Sequence, residues 1–212
     1  MIEIEKYPKI QSIFKRDMLN NPSKLIEGDF TNNEFKYLAN NVWIGTEKID
    51  GTNIRVIWDG QHVTFRGRTD RAILNDRILK MLQEKFDDDN LKETFGETPV
   101  ILFGEAYGER IQKGHNYIPN GVDFILFDIK IGHWWLDDDG INENADKLGI
   151  DVVPIIAAGT IYDLIDIVKH GFKSTIAHNH DYDAEGLVCK PDIPLFDRAG
   201  RRIITKIKTR DF

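Results

Sequence analysis

Lys48 is the residue of this 212-residue chain that most invites a chemical reading. It lies in Glu47-Lys48-Ile49-Asp50-Gly51-Thr52-Asn53, at the end of a strand-like stretch and close to a glycine that lets another group approach the backbone. An amine so placed is a candidate nucleophile, and a solvated lysine in a surface turn is the plainer alternative. A K-x-D-G tetrapeptide arises by chance in about one chain in twenty of this length, so the tetrapeptide alone decides nothing.

Lys206 and Lys208 stand two apart in ITKIK, and the two-residue period of a strand puts both on one face. Paired cations there lower the proton affinity of a neighbouring amine and stabilise negative charge that develops beside them. Taken alone, an edge strand carrying lysine against aggregation is the better account. Glu105 in FGEAYG and Glu185 in AEGLVCK are carboxylates in otherwise apolar runs. A buried charge is costly unless it is paired or bound to a cation, so a divalent ion that prefers hard oxygen ligands explains both. The alternative is that each alternates onto a solvated sheet face.

Other clusters carry less. His178-Asn179-His180-Asp181 offers imidazoles and a carboxylate, but two histidines two apart in a polar segment make a poor zinc signature, and a solvated loop accounts for them. The acidic triplets at 87–89 and 137–139 lack the glycine and terminal glutamate of a calcium loop and read as solvated helix ends or turns. Cys189, the only cysteine, reads as strand packing.

These residues need elements to position them. VWIGTEK and NIRVIW are rich in β-branched and aromatic residues, and Asp59-Gly60 is a hairpin turn signal leading into HVTFRG. In DRILKMLQEKF the spacing of Ile78, Leu82 and Phe86 predicts one apolar helical face, which the acidic triplet at 87–89 then ends. TPVILFGEAYG and VDFILFDIKI read as buried central strands. Thr160, with Asp163 three residues on, predicts the start of a helix over IYDLIDIVKHGF that Gly171 stops. AEGLVCKP and RRIITKIKT are strand-like, separated by a turn at Ala199-Gly200. Residues 1–40 show only a turn at Asn20-Asn21-Pro22-Ser23 and no sustained periodicity. Strands interleaved irregularly with few helices indicate an α+β chain.

The order of the motifs carries more than any one of them. After the Lys48 motif come FGEAYG at 103–108, FILFDIK at 124–130, AEGLVCK at 184–190 and ITKIK at 204–208. Over about residues 43 to 208 the sequence thereby resembles the covalent nucleotidyltransferase superfamily of DNA ligases, RNA ligases and mRNA capping enzymes. Asn53 stands where DNA ligases and capping enzymes carry arginine, and in this it looks like the bacteriophage-type RNA ligases that seal nicks in double-stranded RNA. Arg68-Thr69 is similar to an Arg-Ser/Thr pair of that group, whereas Asp50 stands where its members often carry histidine.

The resemblance implies an α+β, ATP-grasp-like nucleotidyltransferase (ligase adenylylation) domain of antiparallel sheets flanked by helices. A single domain over residues 1–212 is expected, with no C-terminal accessory domain, since the chain ends four residues past Lys208. It implies ATP as AMP donor, Mg2+ or Mn2+, and nucleic acid as partner, with RNA ends or nicks favoured. Lys48 would form lysyl-AMP, with Lys206 and Lys208 at the α-phosphate. Glu47, Asn53, Arg68, Glu105, Phe127, Asp128 and Glu185 would complete the nucleotide site, Phe127 stacking on adenine and Glu105 and Glu185 holding the metal. The alternatives are a DNA ligase, a capping-type guanylyltransferase, or a non-catalytic protein that binds nucleic-acid ends.

Composition sets the outer bounds. With 41% apolar and 30% charged residues the chain can bury a sizeable core. No run approaches the roughly 18 apolar residues of a membrane span, and the N-terminus lacks a signal-peptide pattern, so a cytoplasmic protein is expected. A net charge of -7 argues against coating nucleic acid by electrostatics alone, but the stretch RAGRRIITKIKTR concentrates positive charge near the C-terminus. A monomer is expected, with an accessory protein as the alternative for docking substrate.

Overall fold

The computed structural model describes residues 6–212, so the opening residues 1–5 of the segment left without a function lie outside it. The chain begins with β1 (Gln11–Ser12), β2 (Phe14–Asp17), β3 (Asn21–Phe30), α1 (Asn33–Tyr37) and β4 (Trp43–Glu47). There follow β5 (Thr52–Trp58), β6 (Val63–Gly67), α2 (Asp76–Lys85), α3 (Asp88–Phe95), β7 (Val100–Gly108), β8 (Val122–Ile131) and β9 (Trp134–Trp135). The last elements are α4 (Asp138–Leu148), β10 (Asp151–Val152), β11 (Ile155–Gly159), α5 (Ile161–His170), β12 (Gly186–Pro191) and β13 (Thr205–Lys208). They form two compact units, one of residues 6–8 and 50–153, the other of residues 9–49 and 154–212.

The first unit is built on a six-stranded sheet in the order β10-β8-β7-β5-β6, with β9 on β8. All its pairs are antiparallel except the short β10–β8 edge. β7 and β8 lie at its centre, as their apolar runs predict. The even residues of β5 (Ile54, Val56, Trp58) point into a core closed by Leu82 from α2, Phe86 just after it and Leu91 from α3. Each such large side chain taken out of water contributes about 1.5–3 kcal/mol. The β5–β6 turn forms at Asp59-Gly60: Gly60 has φ +98°, and Asp59 accepts from the amides of Gln61 and His62.

The second unit holds a five-stranded sheet, β1-β13-β12-β4-β11, and a separate two-stranded sheet of β2 and β3. Its core gathers Trp43 of β4, Leu187 and Cys189 of β12, Ile207 of β13, and Leu164 and Val168 of α5. Thr160 and Asp163 close a reciprocal capping box at the start of α5, and Gly171 ends it. Truncating such a cap costs about 1 kcal/mol.

Three sequence expectations are corrected. The triplet at 87–89 does not merely end a helix: α2 stops at Lys85, and Asp87 then caps α3 by accepting from the amide of Asn90. Carboxylates fit there because the first turn of a helix presents unpaired amides and a positive dipole end. Residues 14–30 are not structureless but form the β2–β3 pair, which lacks a clear period because only Phe14 and Leu25 are fully buried in it. The Asn-Asn-Pro-Ser turn is shifted, with the bend at 18–20 and β3 already begun at Asn21. Helix α4 is also unexpected; its buried stripe is only Ile141, Ala145 and Leu148.

Candidate active site

In the second unit, β4 carries the chain to Glu47 and delivers Lys48 beside the start of β12, where the Lys48 amide donates to the Gly186 carbonyl at 2.9 Å. The Lys48 Nζ donates to Glu185 Oε2 at 2.5 Å, and the Lys208 Nζ donates to Glu185 Oε1 at 2.5 Å. This arrangement requires β12 and β13 to approach closely. Gly186 makes that possible: its φ is +146°, and a Cβ there would stand 2.8 Å from the Lys208 Cα and closer still to the Ile207 carbonyl oxygen.

The side chains are largely shielded, with 21% of Lys48, 14% of Glu185 and 10% of Lys208 exposed. Burial pushes the Glu185 carboxyl up, but the two lysines outweigh it and hold the group below the usual carboxylate range. Lys206, in register with Val188 of β12, is held below the ordinary lysine value by burial first and then by the charges of Lys208 and Lys48. Two ammonium groups are thus paired with one carboxylate and the charge of a third, Lys206, is felt beside them, leaving local positive charge in a low-dielectric setting suited to a phosphate.

Glu47 faces elsewhere. It is 1% exposed, and its carboxylate accepts from the Ser174 hydroxyl at 2.5 Å and from the amide and hydroxyl of Thr175 at 2.9 Å each. The side chain braces the end of β4 against the 174–175 loop, and so fixes where Lys48 begins.

In the first unit, the site residues sit on the sheet face opposite the helices. Asn53 of β5 is the direct cross-strand partner of Glu105 of β7. The Asn53 Oδ1 is buried with no hydrogen-bond partner. Gly51 lies against β7: a Cβ there would be 2.7 Å from the Glu105 Cγ and would collide with the Ala106 carbonyl. This is the close approach that a glycine near Lys48 predicts.

Further along the face, the β7–β8 register skips one residue, pairing Phe103 with Asp128 and Gly104 with Leu126. The extra residue is Phe127, and such a bulge re-aims a side chain. Phe127 is half-buried, Asp128 is 3% exposed, and the Tyr7 hydroxyl donates to Asp128 Oδ2 at 2.5 Å. The Tyr7 ring meets Phe127 edge-on, with centroids 5.0 Å apart. Arg68, just past β6, is exposed.

Tyr7 and Arg55 are additions that the sequence reading lacks. Arg55 announces itself: an arginine in the apolar strand NIRVIW, on the same face as Asn53 by the two-residue period. Tyr7 gives no comparable signal, being a lone aromatic in a polar segment. His178 and His180 are exposed in a turn, and no cluster of metal-ligating side chains occurs among the described residues. Cys189 is fully buried in β12, and burial pushes its thiol far up.

A family model described as RNA ligase matches residues 41–208. Solved structures of Naegleria gruberi RNA ligase are also similar. One, a mutant with ATP and Mn, has a TM-score of 0.68 at 18% identity, covering 97% of this chain and 56% of that chain. Another mutant with ATP and Mn has a TM-score of 0.62 at 20% identity, covering 82% and 51%. A third, with AMP and Mn, has a TM-score of 0.65 at 19% identity, covering 95% and 61%. The chain thus spans between about half and three-fifths of the length of these matched chains, and at this identity the likeness is one of fold.

Proposed function

The chain belongs to the RNA ligase family, and from that premise we propose that it is an ATP-dependent RNA ligase working through lysyl-AMP on Lys48. The observation that carries this reading is the pairing of Lys48 and Lys208 with Glu185, with Lys206 two residues before Lys208 on the same strand. In this reading residues 1–212 act as one ligase adenylylation domain of ATP-grasp-like, nucleotidyltransferase type.

An amine attacks phosphorus only in its neutral form, and a free lysine is protonated up to a pKa of about 10.4. The Glu185 carboxyl is held low and is therefore a weak base. It orients Lys48 rather than taking its proton. In the first step a bond forms between Lys48 Nζ and the α-phosphorus of ATP, the bond to the β-phosphate oxygen breaks, pyrophosphate leaves with that bond's electron pair, and a proton of the amine passes to solvent. Lys206 and Lys208 stabilise the negative charge of the leaving group. AMP then passes to a 5′-phosphate end, and a 3′-hydroxyl displaces AMP to form the phosphodiester.

On the face of the first unit, Phe127 stacks on adenine, Asp128 lies near the nucleotide, Arg68 meets its ribose or phosphate, and Asn53 and Glu105 complete the contacts. Glu47 serves by positioning Lys48. For Mg2+ or Mn2+, Glu105 of the first unit and Glu185 of the second are the carboxylates that would offer hard oxygen donors, and the Glu185 oxygens keep lone pairs beyond those that the two lysines use. Such a metal would supply charge neutralisation of the phosphates. Asn53 and Arg68-Thr69 favour the nick-sealing, double-strand RNA subtype.

The test is incubation with α-labelled ATP, or GTP in parallel, and Mg2+ or Mn2+, followed by a denaturing gel. Label from ATP that survives denaturation in the wild type and is lost in Lys48→Ala is the expected result. Label retained by Lys48→Ala would sink the mechanism, and label from GTP alone would redirect the reading to capping-type chemistry.

A further inference from the structure

Arg55 is 0% exposed, yet it is not part of the lysine cluster and not assigned to substrate. A fold that buries a guanidinium must give it partners, because an unpaired buried charge is costly. Arg55 sits mid-strand in β5, opposite Arg66 of β6 and Phe103 of β7. Its Nε donates to the Gly67 carbonyl at 2.9 Å, and its Nη2 donates to Asp70 Oδ1 at 2.7 Å. Those two partners flank Arg68 and Thr69.

The segment between them is a tight turn. The Ala72 amide donates to the Thr69 carbonyl at 3.1 Å, and a Cβ on Gly67 would lie 2.7 Å from the Ala72 Cβ, so the two ends of the turn are pressed together. Asp70 is also approached by Lys6 Nζ at 3.7 Å. Its carboxyl is held below the ordinary value first by the hydrogen bond from Arg55, then by the nearby charges of Arg55 and Lys6, against the effect of burial. Arg68 itself is exposed. One rigid, planar, two-armed side chain therefore grips both feet of a turn whose tip carries an arginine and a threonine. Lysine presents its donors from a single nitrogen and cannot reproduce this planar, two-armed grip.

We infer that Arg55 and Asp70 form a clamp that holds the 67–72 turn in one conformation, and that they are positioning residues for Arg68 in nucleotide binding. The inference rests on the reading of Arg68 as a contact to the ribose or phosphate of ATP. The clamp contributes by removing alternative conformations of the turn before substrate arrives, which places its effect on apparent affinity.

Arg55→Lys is the direct variant, but a changed buried charge can compromise folding, so Asp70→Ala is the second: its side chain is 54% exposed, and Arg55 keeps its bond to the Gly67 carbonyl. The experiment measures KM for ATP and kcat of Lys48 adenylylation for wild type, Arg55→Lys, Asp70→Ala, Arg68→Ala and the Arg68→Ala/Asp70→Ala double variant, with thermal melting of each. Asp70→Ala should raise KM on the order of tenfold while still melting cooperatively above the assay temperature. The double variant should match Arg68→Ala alone, because Asp70 acts through Arg68. An unchanged KM in Asp70→Ala, or losses that multiply in the double variant, overturns the clamp while leaving Arg68 as a contact. A wild-type KM in Arg68→Ala instead removes the reading of Arg68, and the clamp's function with it.

Discussion

Lys48 and Glu185 are joined by a 2.5 Å ion pair whose second carboxylate oxygen is held by Lys208 at the same distance. The carboxylate therefore tethers the candidate nucleophile to β13. In Glu185→Gln the shape of the side chain is kept and its charge is lost. Removing an electrostatic contact of this kind commonly costs on the order of a hundredfold in rate, and that loss of Lys48 adenylylation is expected in a single-turnover assay. Labelling at the wild-type rate would exclude Glu185 from the chemistry. Lys48→Arg should fail as completely as Lys48→Ala, since a guanidinium stays protonated.

Lys206→Ala and Lys208→Ala should each cut adenylylation on the order of a hundredfold while leaving the circular dichroism spectrum unchanged. If both label as fast as the wild type, the lysines of β13 only decorate the strand.

The two perturbed groups of this cluster both make stability rise with pH, one in the acid range and the other in the alkaline. Glu185 titrates lower in the folded chain than when unfolded, so its ion pairs stabilise the fold above the ordinary carboxylate range. That contribution disappears as pH falls through the folded value. Lys206 is also held low, so between its folded value and the ordinary lysine value the unfolded chain binds the extra proton. Stability from this group rises with pH across that interval. Urea unfolding of wild type and Glu185→Gln should differ at neutral pH and converge in acid. Lys206→Met should flatten the alkaline rise, and an unaltered rise would discount the burial of Lys206.

Gly51→Ala should destabilise the chain by about 1–3 kcal/mol, the usual cost of overpacking. The new methyl would meet the Ala106 carbonyl and stand 2.7 Å from the Glu105 Cγ, and a backbone oxygen within a central strand has little room to yield. Denaturant titration reads the cost directly, and an unchanged midpoint would mean that β5 and β7 separate there freely.

Nicks with RNA on the 3′-hydroxyl side should be sealed faster than nicks with DNA there, when 5′ ends are supplied already adenylylated so that only the last step is timed. The motivation is Asn53, whose buried Oδ1 has no donor and lies on the strand opposite Glu105. An unsatisfied buried acceptor costs about 1–3 kcal/mol, and a 2′-hydroxyl is a donor that RNA has and DNA lacks. Equal or faster sealing of the DNA nick would move the assignment toward a DNA ligase.

The legible parts of the sequence are those where local pattern and burial agree. β7 and β8 show as apolar runs because they are covered on both faces, and α5 shows because Thr160, Asp163 and Gly171 mark both its ends. Lys206 and Lys208 read as one face because a strand allows nothing else. Glu185, by contrast, looks like one more carboxylate in a strand, and only tertiary pairing reveals that it joins Lys48 to Lys208. The β2–β3 pair is hidden for a physical reason: so little of it is buried that no period is imposed on its residues. Tyr7 is hidden because its partners, Phe103, Phe127 and Asp128, lie about a hundred residues or more away along the chain.

The extra residue in β8 gives that strand two reading frames. Up to Leu126 the even positions Phe124 and Leu126 face the helices; beyond Phe127 the odd positions Ile129 and Ile131 do. Deleting Phe127 would take out the bulge and join the frames in plain alternation: Leu126 and Ile129 would keep the helix-packed face, and Asp128 and Lys130 the other. The bulge therefore adds an aromatic ring to the strand without disturbing the core's phase, and a chain shortened there should still fold while losing the contact that we assign to adenine.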